Sequence, residues 1–256
     1  MNKQISNFND YAKFYDLAYK NKNYSKEISF VKKKLKINKS STLLDLGCGT
    51  FRHSIHIVQK VKKIIGIDQS KKMLKISRDR INKKKINKKK IVLKKASIID
   101  FKYNEKFDSA YSLFDVISYI TKDKDLKKFF FNLYKHLKPG SLLYLDYWYK
   151  PAIFHLKIKN IKSIYENNSF KIIREKKQKL NKSKKFVDVS MIFNIYNKIN
   201  QKRYNFIEKH PMRFFSTIEI EKFSKKYFYL SQHLSNYSNS KPSKNKWQAS
   251  TILVRK

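Results

Sequence analysis

The feature that most constrains this chain is an apolar run at residues 43–46 that meets a glycine turn, Gly47-Cys48-Gly49. The run is typical of a buried strand, and residues 54–58 continue with helical spacing. The two glycines let a ligand approach the backbone closely, and the unpaired N–H groups of a helix start suit a carboxylate or phosphate. The stretch therefore predicts strand, tight loop and helix around a nucleotide-like cofactor.

A second apolar run at residues 64–68 ends in an acid, Asp68. An acid at this place can accept hydrogen bonds from both hydroxyls of a ribose. The chain has four glycines, and three of them, including Gly66, lie in or beside this predicted pocket. We expect each to mark a backbone position where a side chain does not fit.

Residues 45–50, which read DLGCGT, and residues 66–68, which read GID, resemble motifs I and II of the class I S-adenosylmethionine-dependent methyltransferases. The resemblance implies an α/β, Rossmann-like fold with a mostly parallel seven-stranded sheet and an antiparallel last strand. It also implies S-adenosylmethionine as the cofactor. A dinucleotide-binding dehydrogenase would favour three glycines spaced as GxGxxG. The chain departs from the methyltransferase pattern at Phe51, where relatives usually carry a third glycine.

The same resemblance assigns cofactor contacts along the chain. Met73 holds the position of the residue that touches adenine, with core packing as the alternative. Ser97 stands where relatives hold adenine with an Asp, and Cys48, the single cysteine, is expected to pack under the loop. The predicted cofactor-binding residues are Tyr11, Lys20, Asp45, Gly47, Cys48, Gly49, Asp68, Gln69, Met73, Ser97, Ile98 and Leu113.

Residues 8–24 are rich in aromatic side chains at spacings that place several on one helical face. The segment resembles the YxxxYDxxYxxKDY opening of small-molecule methyltransferases, which caps the cofactor and contributes to the substrate pocket. The resemblance gives Tyr11 to the cofactor and Tyr15 to the substrate. The alternative is an amphipathic helix packed over the sheet edge.

Apolar spacing predicts the other core elements. Helices are expected at residues 26–36, after the N-cap Ser70, at 122–137 and after the N-cap Thr217. Strands are expected at residues 91–93, from 107, at 142–149, at 227–230 and at 250–254.

The alternation of helix and strand breaks at residues 164–215, where the pattern predicts three strands of an inserted antiparallel sheet. The chain therefore divides into a core at 1–163 with N-terminal cap helices, the insert at 164–215, and the rest of the core at 216–256. In sugar N-methyltransferases such an insertion helps to form the acceptor site and the subunit contact. The resemblance thus implies a homodimer through the insert.

Residues 146–152, DYWYKPA, look like a segment of methyltransferases that dimethylate nucleotide-linked amino sugars, and residues 208–215 resemble their ExHxMRYF segment. The resemblance implies N-methylation of a nucleotide-linked amino sugar. The alternatives are another acceptor, including RNA, or an S-adenosylmethionine-binding protein that has lost catalysis. The predicted substrate-binding residues are Tyr15, Tyr147, Trp148, Tyr149 and Arg213.

Methyl transfer to an amine needs alignment and the loss of one proton, which a phenol, imidazole or carboxylate can accept. Tyr119 and His210 are the predicted catalytic residues, and His155 is a further candidate. Arg213 is expected either to hold a substrate diphosphate or to form an ion pair with Glu208. No metal is predicted, because no cluster of residues has metal-ligand spacing.

The chain of 256 residues carries a formal net charge of +41, yet it has only seven arginines. Arginine forks are preferred for phosphate recognition, so an excess of lysine favours compositional drift over a dedicated nucleic-acid partner. One cysteine excludes an internal disulfide framework. The chain has no apolar run of about 18 residues, and residues 1–4 lead into a polar segment. These features predict a cytoplasmic protein.

Overall fold

The structure of the protein is a computed structural model that describes residue 8 and residues 11–84, 86–181, 183 and 185–256. Residues 1–4, on which the prediction of a cytoplasmic location partly depends, lie outside the described residues. The helices are α1 (Ala12–Ala18), α2 (Tyr24–Lys34), α3 (Lys71–Lys83), α4 (Asp123–His136), α5 (Lys150–His155) and α6 (Thr217–Ser224). The strands are β1 (Thr42–Leu46), β2 (Lys63–Asp68), β3 (Ile91–Lys95), β4 (Phe107–Ser112), β5 (Leu137–Tyr149), β6 (Ile161–Glu166), β7 (Phe170–Asn181), β8 (Phe186–Asn197), β9 (Arg203–Phe215), β10 (Phe228–Ser235) and β11 (Gln248–Arg255).

Seven of the described strands form the predicted core sheet. β3, β2, β1, β4 and β5 lie side by side in parallel, β11 runs antiparallel to β5, and β10 pairs with β11. The chain leaves β1 toward β2 on one side and returns to β4 on the other. The carboxyl ends of β1 and β4 therefore flank the point where the strand order reverses, which is where such sheets bind ligands. The predicted α/β fold class is confirmed.

Helices cover both faces of this sheet. Apolar residues of α4 and α6 pack into one core, and those of α2 and α3 pack into the other. The first helix differs from both, because α1 packs against Trp148 and the insert and its Asp16 pairs with Arg80 of α3. No helix of the described residues is long and apolar enough to cross a membrane.

The insert has four antiparallel strands in the described chain, β6 to β9, and not the predicted three. Its first strand begins at Ile161, before the predicted boundary at 164. That strand was missed because its apolar residues, Ile161 and Ile164, are about half exposed and follow no strict alternation.

The insert continues the core sheet. Trp148 and Tyr149 at the end of β5 pair in parallel with Phe214 and Phe215 of β9. β11 already pairs with one edge of β5 as far as Trp148, so β9 takes the edge that β4 leaves at Ser112. The insert therefore stands beyond the carboxyl end of β4.

Two local predictions are wrong. The helix expected at residues 54–58 is replaced by two short 3-10 turns, Ser54–His56 and Val58–Lys60. Phe51 adopts the left-handed φ of +62°, which redirects the chain where a glycine would have been expected. The N-cap of α6 is Ser216, which forms a capping box with Glu219, so Thr217 is the first helical residue.

Candidate active site

A cavity of about 990 Å³ opens at the carboxyl ends of β1, β2, β4 and β5 and is bounded on its far side by the insert. Parallel strand ends form one part of its wall, and N-terminal aromatic residues form another. Of the predicted site residues, the cavity is lined by Tyr15, Gly47, Cys48, Gly49, Asp68, Gln69, Met73, Ile98, Leu113, Tyr119 and Trp148.

The glycine loop forms the floor of one half of the cavity. Gly47 and Gly49 have φ values of +74° and +52°, and the N–H groups of Gly47 and Cys48 donate to the carbonyl of Ile67 at 2.8 and 2.9 Å. A Cβ on Gly47 would lie 2.5 Å from Val116, whereas one on Gly49 would meet open space. The loop is thus fixed to β2 and leaves room for a ligand above Gly49.

Asp68 is held beside this loop. One of its carboxylate oxygens accepts the N–H of Gly49 at 2.9 Å, and the other accepts the N–H of Ser70 at 2.8 Å. Burial raises the pKa of Asp68, and these backbone donors work against that rise. Ser70 in turn caps α3 by accepting the N–H of Met73 at 3.1 Å. The carboxylate therefore has a fixed orientation, with lone pairs left for ribose hydroxyls.

Asp45 lies under the loop and does not line the cavity. It is buried and accepts the hydroxyl of Ser54, which also contacts the Tyr111 hydroxyl. Burial raises the pKa of Asp45 to about 7. Asp45 therefore does not have the predicted position for a cofactor contact and instead supports the glycine loop from below.

Cys48 is the small residue under the loop that the sequence predicts. A Cβ on Gly66 would come within 3.0 Å of its Sγ, so the thiol fills the space that this glycine leaves. Burial raises the pKa of the Cys48 thiol well above its ordinary value. The thiol is therefore a packing group and not a thiolate nucleophile.

Three further predicted cofactor contacts lie away from the cavity. Tyr11 is fully buried, and its hydroxyl accepts from Arg174 at 3.1 Å. Lys20 donates to the carbonyl of Glu166 on the insert at 3.4 Å. The Ser97 hydroxyl accepts the N–H of Ile99 at 3.1 Å, so it closes a turn and leaves Ile98 to line the cavity.

The acceptor side of the cavity uses only part of the predicted aromatic strand end. Trp148 lines the cavity, but the side chains of its two neighbours point to the opposite face of the sheet. The hydroxyl of Tyr147 contacts that of Thr251 at 2.9 Å, and its ring packs against Phe215. Tyr149 packs against the same core. The predicted substrate contacts of Tyr147 and Tyr149 are therefore not available.

Arg213 is buried on the other side of β9 from the cavity. Its guanidinium pairs with Asp123 at 2.6 Å and with Glu219 at 3.7 Å. It also donates to the carbonyl of Thr121 at 3.3 Å. Neither predicted partner is present, because Glu208 lies elsewhere and the side chain does not line the cavity.

Tyr119 and His210, the predicted catalytic pair, are in contact. The Tyr119 hydroxyl lies 3.0 Å from Nδ1 of His210, and Nε2 of this imidazole lies 3.3 Å from Oε2 of Glu208. Glu208 is fixed by the N–H groups of Phe8 and Tyr11, at 3.1 and 3.2 Å. Tyr119 lines the cavity and the other two are buried, so the three form a chain leading away from it.

His155, the further candidate base, ends α5 and does not line the cavity.

Several residues that line the cavity were not predicted from the sequence. Arg174 and Lys176 lie two residues apart on the inner face of β7, and burial lowers the pKa of Lys176 to about 8. Asp115 follows β4, and Gln248 begins β11 beside Trp148. The two-residue alternation of β7 could have placed the two cations on one face of the strand, whereas no sequence pattern indicates a role for Asp115 or Gln248. In the described part of the chain, no group of His, Cys, Asp and Glu could hold a metal ion.

A family model described as a methyltransferase domain matches residues 43–140, from β1 to the start of β5. The chain carries a methyltransferase domain. It contains the glycine loop and Asp68, and it ends before the insert. S-adenosylmethionine is the cofactor of this domain, and the open space above Gly49 and the fixed Asp68 carboxylate fit it.

A curated relative is similar to this chain over a longer stretch than the family model. The dTDP-3-amino-3,4,6-trideoxy-alpha-D-glucopyranose N,N-dimethyltransferase of Streptomyces venezuelae is 28% identical over 149 residues, which cover 57% of this chain and 60% of that protein. Matches to other curated relatives span 55–56% of their length. The chain thus spans little more than half the length of the curated relatives it matches.

Solved structures match the methyltransferase domain and the insert together. An S-adenosylmethionine-dependent methyltransferase from Clostridium acetobutylicum has a TM-score of 0.78 at 23% identity, with 98% of this chain and 99% of that chain covered. DesVI from Streptomyces venezuelae has a TM-score of 0.79 at 20% identity, with 97% and 99% covered. At these identities the likeness is one of fold.

Proposed function

We propose that this protein transfers a methyl group from S-adenosylmethionine to the amino group of a nucleotide-linked amino sugar. The observation that carries the proposal is the second half of the cavity, where Trp148, two cations and the Tyr119–His210 pair lie beyond the glycine loop. The curated relative from Streptomyces venezuelae, named for a dTDP-linked amino sugar, supports the same substrate class.

The cofactor half would bind S-adenosylmethionine through the glycine loop and Asp68. Asp68 would accept the ribose hydroxyls, and Met73 and Ile98 would pack around the base. When bound, the cofactor supplies an electrophilic methyl group on a sulfonium. The protein contributes alignment, and Phe8 and Tyr15 line the cavity with aromatic rings that leave less room for water.

The acceptor amine must lose one proton for each methyl group that it gains. Burial raises the pKa of Tyr119 well above its ordinary value, so its phenol does not ionise alone. Its oxygen can accept an amine proton while its own proton passes to Nδ1 of His210. Glu208, 3.3 Å from Nε2, stabilises the imidazolium that results.

Arg174 and Lys176 on β7 would receive the anionic part of the acceptor. Both line the cavity, and the Lys176 ammonium lies 5.1 Å from the centre of the Trp148 ring. A diphosphate would pair with the guanidinium and the ammonium as charge-assisted hydrogen bonds. This role replaces the one predicted for Arg213.

The test is a methyl-transfer assay with labelled S-adenosylmethionine and three acceptors: dTDP-linked amino sugars, their hydroxyl counterparts and RNA transcripts. We expect label in the amino sugars alone. Tyr119→Phe and His210→Gln should each lower kcat by about 100-fold or more with unchanged cofactor affinity. Tyr229→Phe, at a 63% exposed tyrosine, is the matched control. Labelled RNA, or no labelled amine from protein that binds the cofactor, would refute the proposal.

Two further parts of the proposal concern the whole protein. We propose a cytoplasmic location, in keeping with the free, buried Cys48. We also propose a homodimer through the outer face of the insert, whose test is given in the Discussion.

A further inference from the structure

Asp115 is a buried carboxyl group at the cavity wall that the reaction above does not use. Its side chain is 6% exposed, and one oxygen, Oδ2, accepts the Gln248 amide at 2.6 Å. The other oxygen, Oδ1, is buried without a hydrogen-bond partner among the described residues. A buried, unpaired carboxylate oxygen is costly, which points to a ligand that completes it.

The backbone around Asp115 is held in a rarely adopted conformation. Phe114 and Asp115 have φ values of +68° and +64°, although neither is a glycine. The Asp146 carboxylate fixes this turn by accepting both of their N–H groups, at 2.8 and 2.7 Å. Such strain persists where surrounding groups impose it, and it clusters at ligand sites.

The position of Asp115 assigns it to the acceptor. It follows the end of β4, whereas Gly49 follows β1 and Asp68 ends β2 on the cofactor side. Its neighbours on the cavity wall are Trp148 of β5 and Gln248 of β11, which pair with each other. Asp115 therefore lies on the part of the wall that β5 and β11 form, while the next residue, Val116, packs against Gly47 of the cofactor loop.

We propose that Oδ1 of Asp115 binds the positively charged amino group of the methyl acceptor and so selects amines over alcohols. The inference rests on the proposed function in that the cavity takes a methyl acceptor. An ammonium group supplies three donors and a positive charge, and an N–H directed to Oδ1 completes the carboxylate. A hydroxyl acceptor has one donor and no charge.

The charge around this group supports the same ligand. Burial and the neighbouring Asp146 raise the pKa of Asp115, and the side chains of Gln248 and Trp148 work against that rise. A bound ammonium would lower this raised pKa and favour the carboxylate form of Asp115. The charged and titratable groups that face Asp115 are Asp146 on β5, Lys176 on β7, Lys22 between the first two helices, and Tyr119 on the 3-10 turn Val116–Tyr119.

Titration calorimetry in the presence of S-adenosylhomocysteine tests the inference. The native protein should bind a dTDP-linked amino sugar about 10-fold or more tighter than its hydroxyl counterpart, as expected for a charge-assisted contact. Runs at pH 7 in buffers of different ionisation heat should show that protons are released when the amine binds. Asp115→Asn, which keeps the shape, should remove both effects, and Asp79→Asn at an exposed site should remove neither.

Unaltered amine preference and proton release in Asp115→Asn, with native melting temperature and S-adenosylhomocysteine affinity, would overturn the inference. So would a native protein that binds both sugars equally. If the native protein binds neither sugar, the nucleotide-sugar part of the proposed function fails. Cyclohexylamine and cyclohexanol, compared by thermal shift in the same variants, then decide the inference, and an equal response of the native protein to both would overturn it.

Discussion

At the scale of single residues, Asp68 is where sequence and structure agree most closely. The native protein should bind S-adenosylmethionine, and Asp68→Ala should weaken binding by about 1–3 kcal/mol, since it removes a carboxylate that accepts ribose hydroxyls. Titration calorimetry measures the loss. Asp100→Ala, at an exposed acid beyond β3, is the matched control. Equal affinities of Asp68→Ala and the native protein would assign Asp68 to loop structure alone.

Arg213 belongs to structure rather than to substrate binding. Arg213→Ala should cost about 2 kcal/mol of stability, because it removes the ion pairs with Asp123 and Glu219 and opens space beside Phe215 and Phe223. For a chain of this size the melting temperature should fall by about 4–8 °C. Arg203→Ala, at an exposed arginine, should leave it unchanged. A raised KM for the acceptor with a native melting temperature would contradict this.

Asp68 and Arg213 differ in how well the sequence alone predicts their roles. Asp68 was predictable because a short motif fixes its place at a strand end close to its own glycine loop. Arg213 was misassigned because its place in the chain does not fix which side of β9 its side chain occupies. Asp115 could not be predicted as a site residue, since its role depends on Gln248, which lies 133 residues away in sequence.

At the scale of elements, strand β7 brings two cations to the acceptor side. Lys176→Ala should raise the KM for a nucleotide-linked acceptor by about 10-fold while leaving cofactor affinity unchanged, because it removes one charge partner of the diphosphate. Lys177→Ala, the next residue and exposed on the outer face, is the matched control. Steady-state kinetics decide between them, and equal KM values would place the diphosphate elsewhere.

The same lysine predicts a pH dependence of acceptor binding. Burial, with Arg174 nearby, lowers the pKa of Lys176 to about 8 from its ordinary value near 10.5. The ammonium is therefore charged below pH 8 and loses its charge as the pH rises through that value. We expect the KM of the native protein to rise above about pH 8 and the KM of Lys176→Ala to lack this rise.

The elements of the core were more predictable than those of the insert. Buried parallel strands read as apolar runs, and their order follows from the family resemblance. The strand β6, which was not predicted, depends on its pairing with β7. The two 3-10 turns that replace the predicted helix depend on the hydrogen bond between Ser54 and Asp45.

At the scale of the whole molecule, the outer face of the insert is its least explained surface. β6 to β9 turn one face toward α1 and the cavity, and the other face carries a group of isoleucines on four paired strands, with Ile164 opposite Ile173 and Ile192 opposite Ile207. Ile164 is 59% exposed and Ile207 is 48% exposed. Contiguous apolar side chains on an open sheet face are typical of a protein contact.

We expect a second copy of this chain to cover this face as an isologous dimer. Light scattering should give a dimer mass for the native protein, and Ile164→Lys with Ile207→Lys should give the monomer, because two buried ammonium groups would face an apolar partner. Ile218→Lys, at a 75% exposed isoleucine on α6, is the control and should remain dimeric. A native monomer at micromolar concentration would refute the dimer without touching the methyl-transfer chemistry, since the cavity lies on the opposite face of the insert.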